Sequence, residues 1–220
     1  MTKIRKGIQT VNRKGEYLYC LKENTNHESV LTGEKTSETK LKADVVDALN
    51  IEPASRILDI SFGPVPLVTE LVNNMWKVHY FGLETAPELV AKATAVFADH
   101  INDRKALFEL YDGKKVPYVV GFFHRVLHVS PAGEPVSKVV LREGYRVLTE
   151  NGIMVLVHRP RGQFEEAVAV ANTARATGFT VRDLKMFDMT GKGKLRAEGP
   201  EKYVITVLVK PGKHPERGSR

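Results

Sequence analysis

The sequence predicts a three-layer α/β fold: a doubly wound, mostly parallel sheet of about seven strands, with an antiparallel strand near the C-terminus. Three observations predict it. Short apolar runs of strand length alternate with helical runs from residue 37 to residue 210. Gly and Pro punctuate the joins between them. The final two strand-like runs, 179–187 and 203–210, are joined only by the glycine-rich stretch around Gly191-Lys192-Gly193. With no helix to cross over, the last strand must run antiparallel to its neighbour.

The elements follow in order. Residues 1–36 are polar and weakly patterned, and read as an N-terminal extension in which Tyr17, Leu18, Tyr19 and Leu21 can form a short strand or a docking segment. Ser37 or Thr39 can cap a helix carrying Leu41, Val45, Val46, Ala48 and Leu49 at helical spacing, ended by Pro53. A strand is expected at 56–60, a helix at 66–75 with Pro66 in its first turn, and a strand at 77–84. A helix at 87–98 and strands at 106–110 and 119–123 come next. A helix over 136–148 turns through Asn151-Gly152 into a strand at 153–158. The last helix covers 164–176 and is stopped by Gly178. The folded domain is thus 37–211, and 212–220 is a basic tail.

The 220 residues and 24.6 kDa suit one domain with appendages. A hydrophobic share of 42% with 27% charged residues excludes a wholly disordered, collagen-like or coiled-coil protein. No apolar run reaches the roughly 18 residues of a membrane helix, so no span is expected. The basic start is followed by no apolar stretch, which argues against a secretory signal. The single cysteine, Cys20, excludes an internal disulfide and a CxxC pair, and the expected setting is cytoplasmic. The net charge of +7 is uneven: residues 1–22 carry +5 and residues 192–220 another +5. Such ends either solubilise the chain or draw it weakly to RNA, a membrane surface or an acidic partner.

In a sheet of this kind ligands bind beyond the carboxyl ends of the strands, at the switch point. The first strand of the alternation runs out through Asp59-Ile60-Ser61-Phe62-Gly63-Pro64-Val65-Pro66, and Glu84 ends the next one. Glu84 follows Gly63 by the interval at which an acidic side chain accepts the hydroxyls of a ribose. The other reading of Glu84 is a cap on the helix that starts near Pro87.

These residues resemble the class I S-adenosylmethionine-dependent methyltransferases, which have a Rossmann-like fold. Residues 57–67 look like the family's first motif, a strand followed by Asp-x-Gly-x-Gly-x-Gly. Gly82-Leu83-Glu84 resembles the second, in which the acid holds the ribose. Residues 119–128 resemble the fourth-strand motif that faces the substrate. Glu143-Gly144-Tyr145-Arg146-Val147-Leu148, followed by Asn151-Gly152, is similar to the family's helix and turn. The chain departs from the pattern where Ser61 and Val65 replace motif glycines, and where Tyr118-Val119-Val120 lacks the usual aspartate. Gly63-Pro64-Val65-Pro66-Leu67 is also similar to a loop of nicotianamine synthases, which transfer the aminocarboxypropyl group. The resemblance implies S-adenosyl-L-methionine as cofactor, held by Asp59, Ser61, Gly63, Glu84 and Thr85.

Methyl transfer from a sulfonium needs alignment and, for some acceptors, removal of a proton. His128 and His124 are the candidate bases, placed after the expected fourth strand, where a helical turn would bring them to one face. Both can equally be packing residues. Arg125 lies between them as a candidate substrate contact. His158 and Arg159, with Arg161, follow the fifth strand; they either bind an anionic substrate group or form a solvated cluster. No Cys/His framework or HExxH suggests a metal. Neither the Asn/Asp-Pro-Pro-Tyr/Phe sequence of amino-methylating nucleic-acid enzymes nor the Pro-Cys nucleophile of cytosine C5 chemistry is present.

The reading is a methyltransferase acting on a small-molecule substrate. The alternatives are a degenerate binding or scaffold protein without turnover, an aminocarboxypropyl transferase and an RNA methyltransferase.

Overall fold

The computed structural model describes residues 10–11, 17–18, 37–63, 68–71, 78–130, 134–159, 164–188 and 202–212. It divides into two compact units, Met1–Glu34 and Lys35–Arg220. In the first, β1 (Thr10–Val11) and β2 (Tyr17–Leu18) pair antiparallel, with Thr10 opposite Leu18. Tyr19 and Leu21 lie outside the described residues.

The second unit is built on one seven-stranded sheet. Helix α1 (Ser37–Leu49) leads to β3 (Arg56–Ile60), and β4 (His79–Glu84) follows. Residues 68–71 are helical, within the helix expected at 66–75. Then come α2 (Pro87–Val96), α3 (Ala98–Asn102), β5 (Ala106–Leu110) and β6 (Phe123–Val129). Helix α4 (Lys138–Val147), β7 (Leu148–His158), α5 (Phe164–Thr177), β8 (Thr180–Asp188) and β9 (Lys202–Val209) complete the order. The strands lie as β5-β4-β3-β6-β7-β9-β8. The pairs among β5, β4, β3, β6 and β7 are parallel, while β9 runs antiparallel to both β7 and β8. The chain works outward from β3 to β5 and then returns to the other side of β3 with β6, so the switch point lies between β3 and β6.

Helices cover both faces. One face buries Val45 and Leu49 of α1, with Val68, Leu71, Ala93 and Phe97, against Tyr80, Leu127 and Val155. The other buries Val140, Leu141 and Val147 of α4, and Val170 and Ala174 of α5, against Leu58, Val126 and Leu156. Each fully buried Leu, Val or Phe is worth about 1.5–3 kcal/mol relative to exposure, so this two-sided burial is what holds the three layers together.

The fourth strand of the alternation is displaced from its expected place. Residues 119–123 were the apolar choice, yet Val119 and Val120 are 69% and 67% exposed in a turn, where Gly121 takes φ +68°. The strand is β6, and it contains His124, Arg125 and His128. The physical reason is that its polar side chains have partners, which removes the cost of burying them. The Arg56 N–H donates to His124 Nδ1 at 3.0 Å. The Arg125 guanidinium donates to the carbonyls of Leu49 and Asn50 at 2.7 and 2.6 Å, capping the carboxyl end of α1.

Two further expectations are refined. The helix over 87–98 breaks at Phe97, which leaves helical geometry at φ −105°, ψ 25° and stacks its buried ring on Phe108. Asn151-Gly152 is not a separate turn but part of β7, where the pairing with β6 shifts register between Phe123 and Arg125.

Glu143 and Arg146, two residues of the helix signature, form a strap. Arg146 bonds Glu143 and also donates to the carbonyls of Tyr118 and Val116, both at 2.7 Å, while Glu143 accepts the Val116 N–H at 2.9 Å. That ties the 116–121 segment to α4 and sets where β6 begins.

Candidate functional site

The segments leaving the carboxyl ends of β3, β4, β5 and β6 are joined by hydrogen bonds at the switch point. After β3, Ser61 and Gly63 take left-handed conformations at φ +61° and +52°. Glycine adopts this region freely, and a serine there costs on the order of 1 kcal/mol. The turn is held against β4, since the N–H groups of Ser61 and Phe62 both donate to the Leu83 carbonyl, at 2.8 and 3.4 Å. Beneath it, Gly82 has no room for a side chain: a Cβ there would stand 2.8 Å from the rings of both Phe108 and Phe62. Gly82 therefore serves the seating of Phe62.

Glu84 ends β4 and is buried. Its Oε2 accepts the Gly63 N–H at 3.2 Å; its Oε1 accepts the Thr85 N–H at 2.7 Å and the Thr85 hydroxyl at 3.3 Å. It does not cap the helix at Pro87, whose N-cap, Ala86, has no side-chain bond. A carboxylate offers about four acceptor directions, so Oε2 keeps capacity for a ligand hydroxyl.

Beyond β5, the Tyr111 N–H donates to the Glu84 carbonyl at 3.0 Å, which ties the end of β5 to the end of β4. Asp112 turns the following loop by accepting the N–H groups of Lys114 and Lys115 at 2.8 and 3.0 Å. Gly113, at φ +73°, brings that loop beside the Thr85 methyl. Tyr111 and Asp112 belong to no sequence motif, although the switch-point rule that selects Glu84 applies equally to the end of β5.

Asp59 lies within β3 rather than on the loop and is fully buried. Its Oδ2 accepts the Tyr80 hydroxyl at 2.9 Å, and its Oδ1 has no partner among the described residues. Burial pushes its carboxyl up to about 7, with the Glu84 charge adding to the effect and the Tyr80 hydrogen bond opposing it. It therefore underlies the loop as a buried acid shared with β4.

At the end of β6, His128 is 5% exposed. Its Nδ1 lies 2.8 Å from the Ile60 carbonyl and its Nε2 lies 3.1 Å from the Ser130 hydroxyl. A carbonyl can only accept, so Nδ1 carries the proton of the neutral ring and Nε2 accepts from Ser130. Burial holds the imidazole below its ordinary range, outweighing the Ile60 bond and the Glu84 charge, which both favour protonation. Ser130 was missed because the expected strand ended too early to place it beside His128.

His124 and Arg125 do not join this group. With β6 extended, no helical turn brings the two histidines together. His124 sits at the amino end of the strand against Arg56, and Arg125 is spent on the end of α1. A substrate role for Arg125 is set aside for that reason. His158 ends β7 and is 2% exposed. Burial lowers its basicity, as does His128, while the Glu166 charge opposes the shift. Arg159 is half-buried beside it. Arg161, Val65 and the rest of the 64–67 loop lie outside the described residues, as does the likeness to nicotianamine synthases beyond Gly63.

This donor set fits a nucleoside cofactor of the S-adenosylmethionine type: a buried carboxylate with acceptor capacity, a left-handed loop beside it, and a third loop closing at Thr85. Among the described residues, no group of three His, Cys, Asp or Glu could hold a metal ion, and no helix is long and apolar enough to cross a membrane.

No protein-family profile matches the chain, and no curated protein matches it in sequence. Solved structures do match. The [4+2]-cyclase SpnF superposes with a TM-score of 0.65 at 16% identity, covering 78% of this chain and 80% of that one. The geranyl diphosphate C-methyltransferase of Streptomyces coelicolor, in complex with Mg2+, geranyl diphosphate and S-adenosyl-L-homocysteine, gives 0.61 at 9% identity, covering 79% and 80%. Precorrin-6y C5,15-methyltransferase of Geobacter metallireducens gives 0.57 at 16%, covering 77% and 88%. The chain has the Rossmann-like fold of the class I S-adenosylmethionine-dependent methyltransferases. Identities this low establish the fold alone.

Proposed function

We propose that the chain is an S-adenosylmethionine-dependent methyltransferase acting on a small-molecule acceptor. The observation that carries this reading is Glu84: one buried carboxylate gathers the Gly63 and Thr85 amides and keeps an acceptor direction for a ribose hydroxyl. In this reading Glu84, Gly63 and Thr85 hold the nucleoside, and Ser61 and Asp59 shape the turn beneath it. The cofactor, when bound, supplies a methyl group on a sulfonium.

The protein's own work is orientation and proton transfer. The Ile60 carbonyl fixes the tautomer of His128, so that Nε2 is the proton acceptor. Ser130 donates to that nitrogen, so an acceptor's proton reaches Nε2 either through the Ser130 hydroxyl or by displacing it. Burial keeps the ring unprotonated at neutral pH, ready to take the proton. Calorimetry with S-adenosyl-L-homocysteine on the purified chain tests the cofactor half: absence of binding by the folded protein would overturn it.

A second reading has support of its own. A [4+2]-cyclase shares this fold, so the same scaffold serves reactions other than methyl transfer. A chain that binds the cofactor but methylates no acceptor in a small-molecule screen would fit that reading.

A further inference from the structure

Among the described residues four buried side-chain atoms lack a hydrogen-bond partner; Asp59 Oδ1 lies on the α1 face of the sheet, and the other three lie on the opposite face. These three are both ring nitrogens of His158 and the Thr206 hydroxyl, which have no partner among the described residues. His158 is 2% exposed and Thr206 0%. The register brings them together. His128 pairs with Leu156, and Leu156 pairs with Thr206, so the three stand in a row across β6, β7 and β9. Paired residues share a face, and His158 lies two residues beyond Leu156 on that same face. The Ser130 N–H donates to the Val157 carbonyl at 2.8 Å, which sets Ser130 beside His158. Leu156, Val126 and Leu208 belong to the same face, under α4 and α5.

An unpaired buried polar atom costs about 1–3 kcal/mol, and three together are rarely left so. A neutral imidazole has one donor and one acceptor, and a threonine hydroxyl has both. A hydroxyl ligand matches that set, since it gives one hydrogen and accepts others. An anion matches less well: His158 and Thr206 carry no full charge of their own, and the strongest charge effect on His158 comes from the Glu166 carboxylate, which repels an anion. A metal cation has no group of three His, Cys, Asp or Glu among the described residues to hold it.

We propose that His158 and Thr206, beside the Ser130–His128 pair, form a seat for a neutral hydroxyl group of the acceptor. This rests on reading the carboxyl end of β6 and β7 as the acceptor site, and it replaces the anionic group expected for His158 with an uncharged one. The seat lies one strand step from Ser130, so a hydroxyl held there is close to the group that hands a proton to His128 Nε2.

The test uses three probes of similar size on the full chain: phenol, benzoate and toluene. The ring-nitrogen NMR signals of His158 are followed during each titration, with and without S-adenosyl-L-homocysteine. Phenol is expected to shift the His158 signals and to bind about tenfold tighter than toluene or benzoate, the worth of one hydrogen bond. His158→Phe should remove that preference, while His158→Asn, which keeps a donor and an acceptor, should retain part of it. The wild-type signals give the answer even where a variant fails to fold. Equal binding of toluene, preference for benzoate, no phenol response at His158, or an unchanged preference in folded His158→Phe would each overturn the proposal. Cofactor binding is scored separately. Phenol binding without S-adenosyl-L-homocysteine binding would sink the methyltransferase reading and leave the hydroxyl seat standing, and the reverse result would sink only the seat.

Discussion

Glu84→Ala removes the acceptor of the Gly63 and Thr85 amides at once. Loss of a hydrogen bond to a charged group is worth about 1.5–3 kcal/mol, so affinity for S-adenosyl-L-homocysteine should fall by roughly tenfold to a hundredfold. Calorimetry checks this, and unchanged affinity in a folded variant would remove Glu84 from the site. Asp59 predicts a pH effect on stability. Its folded pKa, about 7, lies above the ordinary 3.8, so the folded state binds the extra proton between these values. Its contribution is fully present below about pH 4 and is lost as pH rises through about 7. The wild-type stability should therefore decline across that window, by at most about 1.4 kcal/mol per pH unit. Asp59→Asn should flatten the decline, as denaturant titrations at several pH values would reveal. His128→Ala should slow turnover by roughly 10²–10⁴-fold while leaving cofactor affinity nearly unchanged. Because burial lowers the basicity of His128, the wild-type rate should hold to a lower pH than an ordinary histidine allows, and fall only below it.

Strands and helices here are tied by side chains that sequence pattern alone reads as functional. Arg125 is the clearest case: it looked like a substrate contact and instead closes the carboxyl end of α1 through Leu49 and Asn50. Arg125→Met should leave those carbonyls without their donor, at a cost of about 1–3 kcal/mol. For a chain of this size that is a drop of several degrees in Tm, measurable by calorimetry, with affinity for S-adenosyl-L-homocysteine unchanged. A loss of affinity at constant Tm would return Arg125 to the site. Gly82→Ala belongs to the same scale. Its Cβ meets Phe108 and Phe62 at 2.8 Å, and such overpacking typically costs about 1–3 kcal/mol. Since Phe62 sits inside the loop that Glu84 holds, this variant should lose both stability and cofactor affinity.

At the scale of the whole chain, all described site residues fall within Lys35–Arg220, which is compact without the first 34 residues. A chain starting at Lys35 should keep its thermal transition and its cofactor affinity. That truncation removes the +5 of residues 1–22 together with Glu23, Glu28 and Glu34, a net loss of +2. If the ends attract RNA, retention on an RNA column should weaken with salt and with the truncation. Retention that ignores both would leave the basic ends a solubilising role.

The sequence by itself determined the layer order and the identity of most elements. Alternating apolar runs of two periods allow few arrangements, and right-handed crossovers choose among them. It also located Glu84 at the end of β4, because the position of a switch-point acid follows from strand order and interval rather than from contacts. Only the tertiary structure decided where β6 runs. His124 and Arg125 read as a strand end because polar residues are normally excluded from a buried strand; their partners, Arg56 and the end of α1, are 68 and about 75 residues away and invisible to a local pattern. The same displacement hid Ser130 and the pairing of His128 with Ile60. The neighbourhood of His158 and Thr206 is equally invisible to a local pattern, because it forms only where β9 inserts antiparallel between β7 and β8. Local sequence sets which residues face the core, while long-range pairing sets which polar groups meet there.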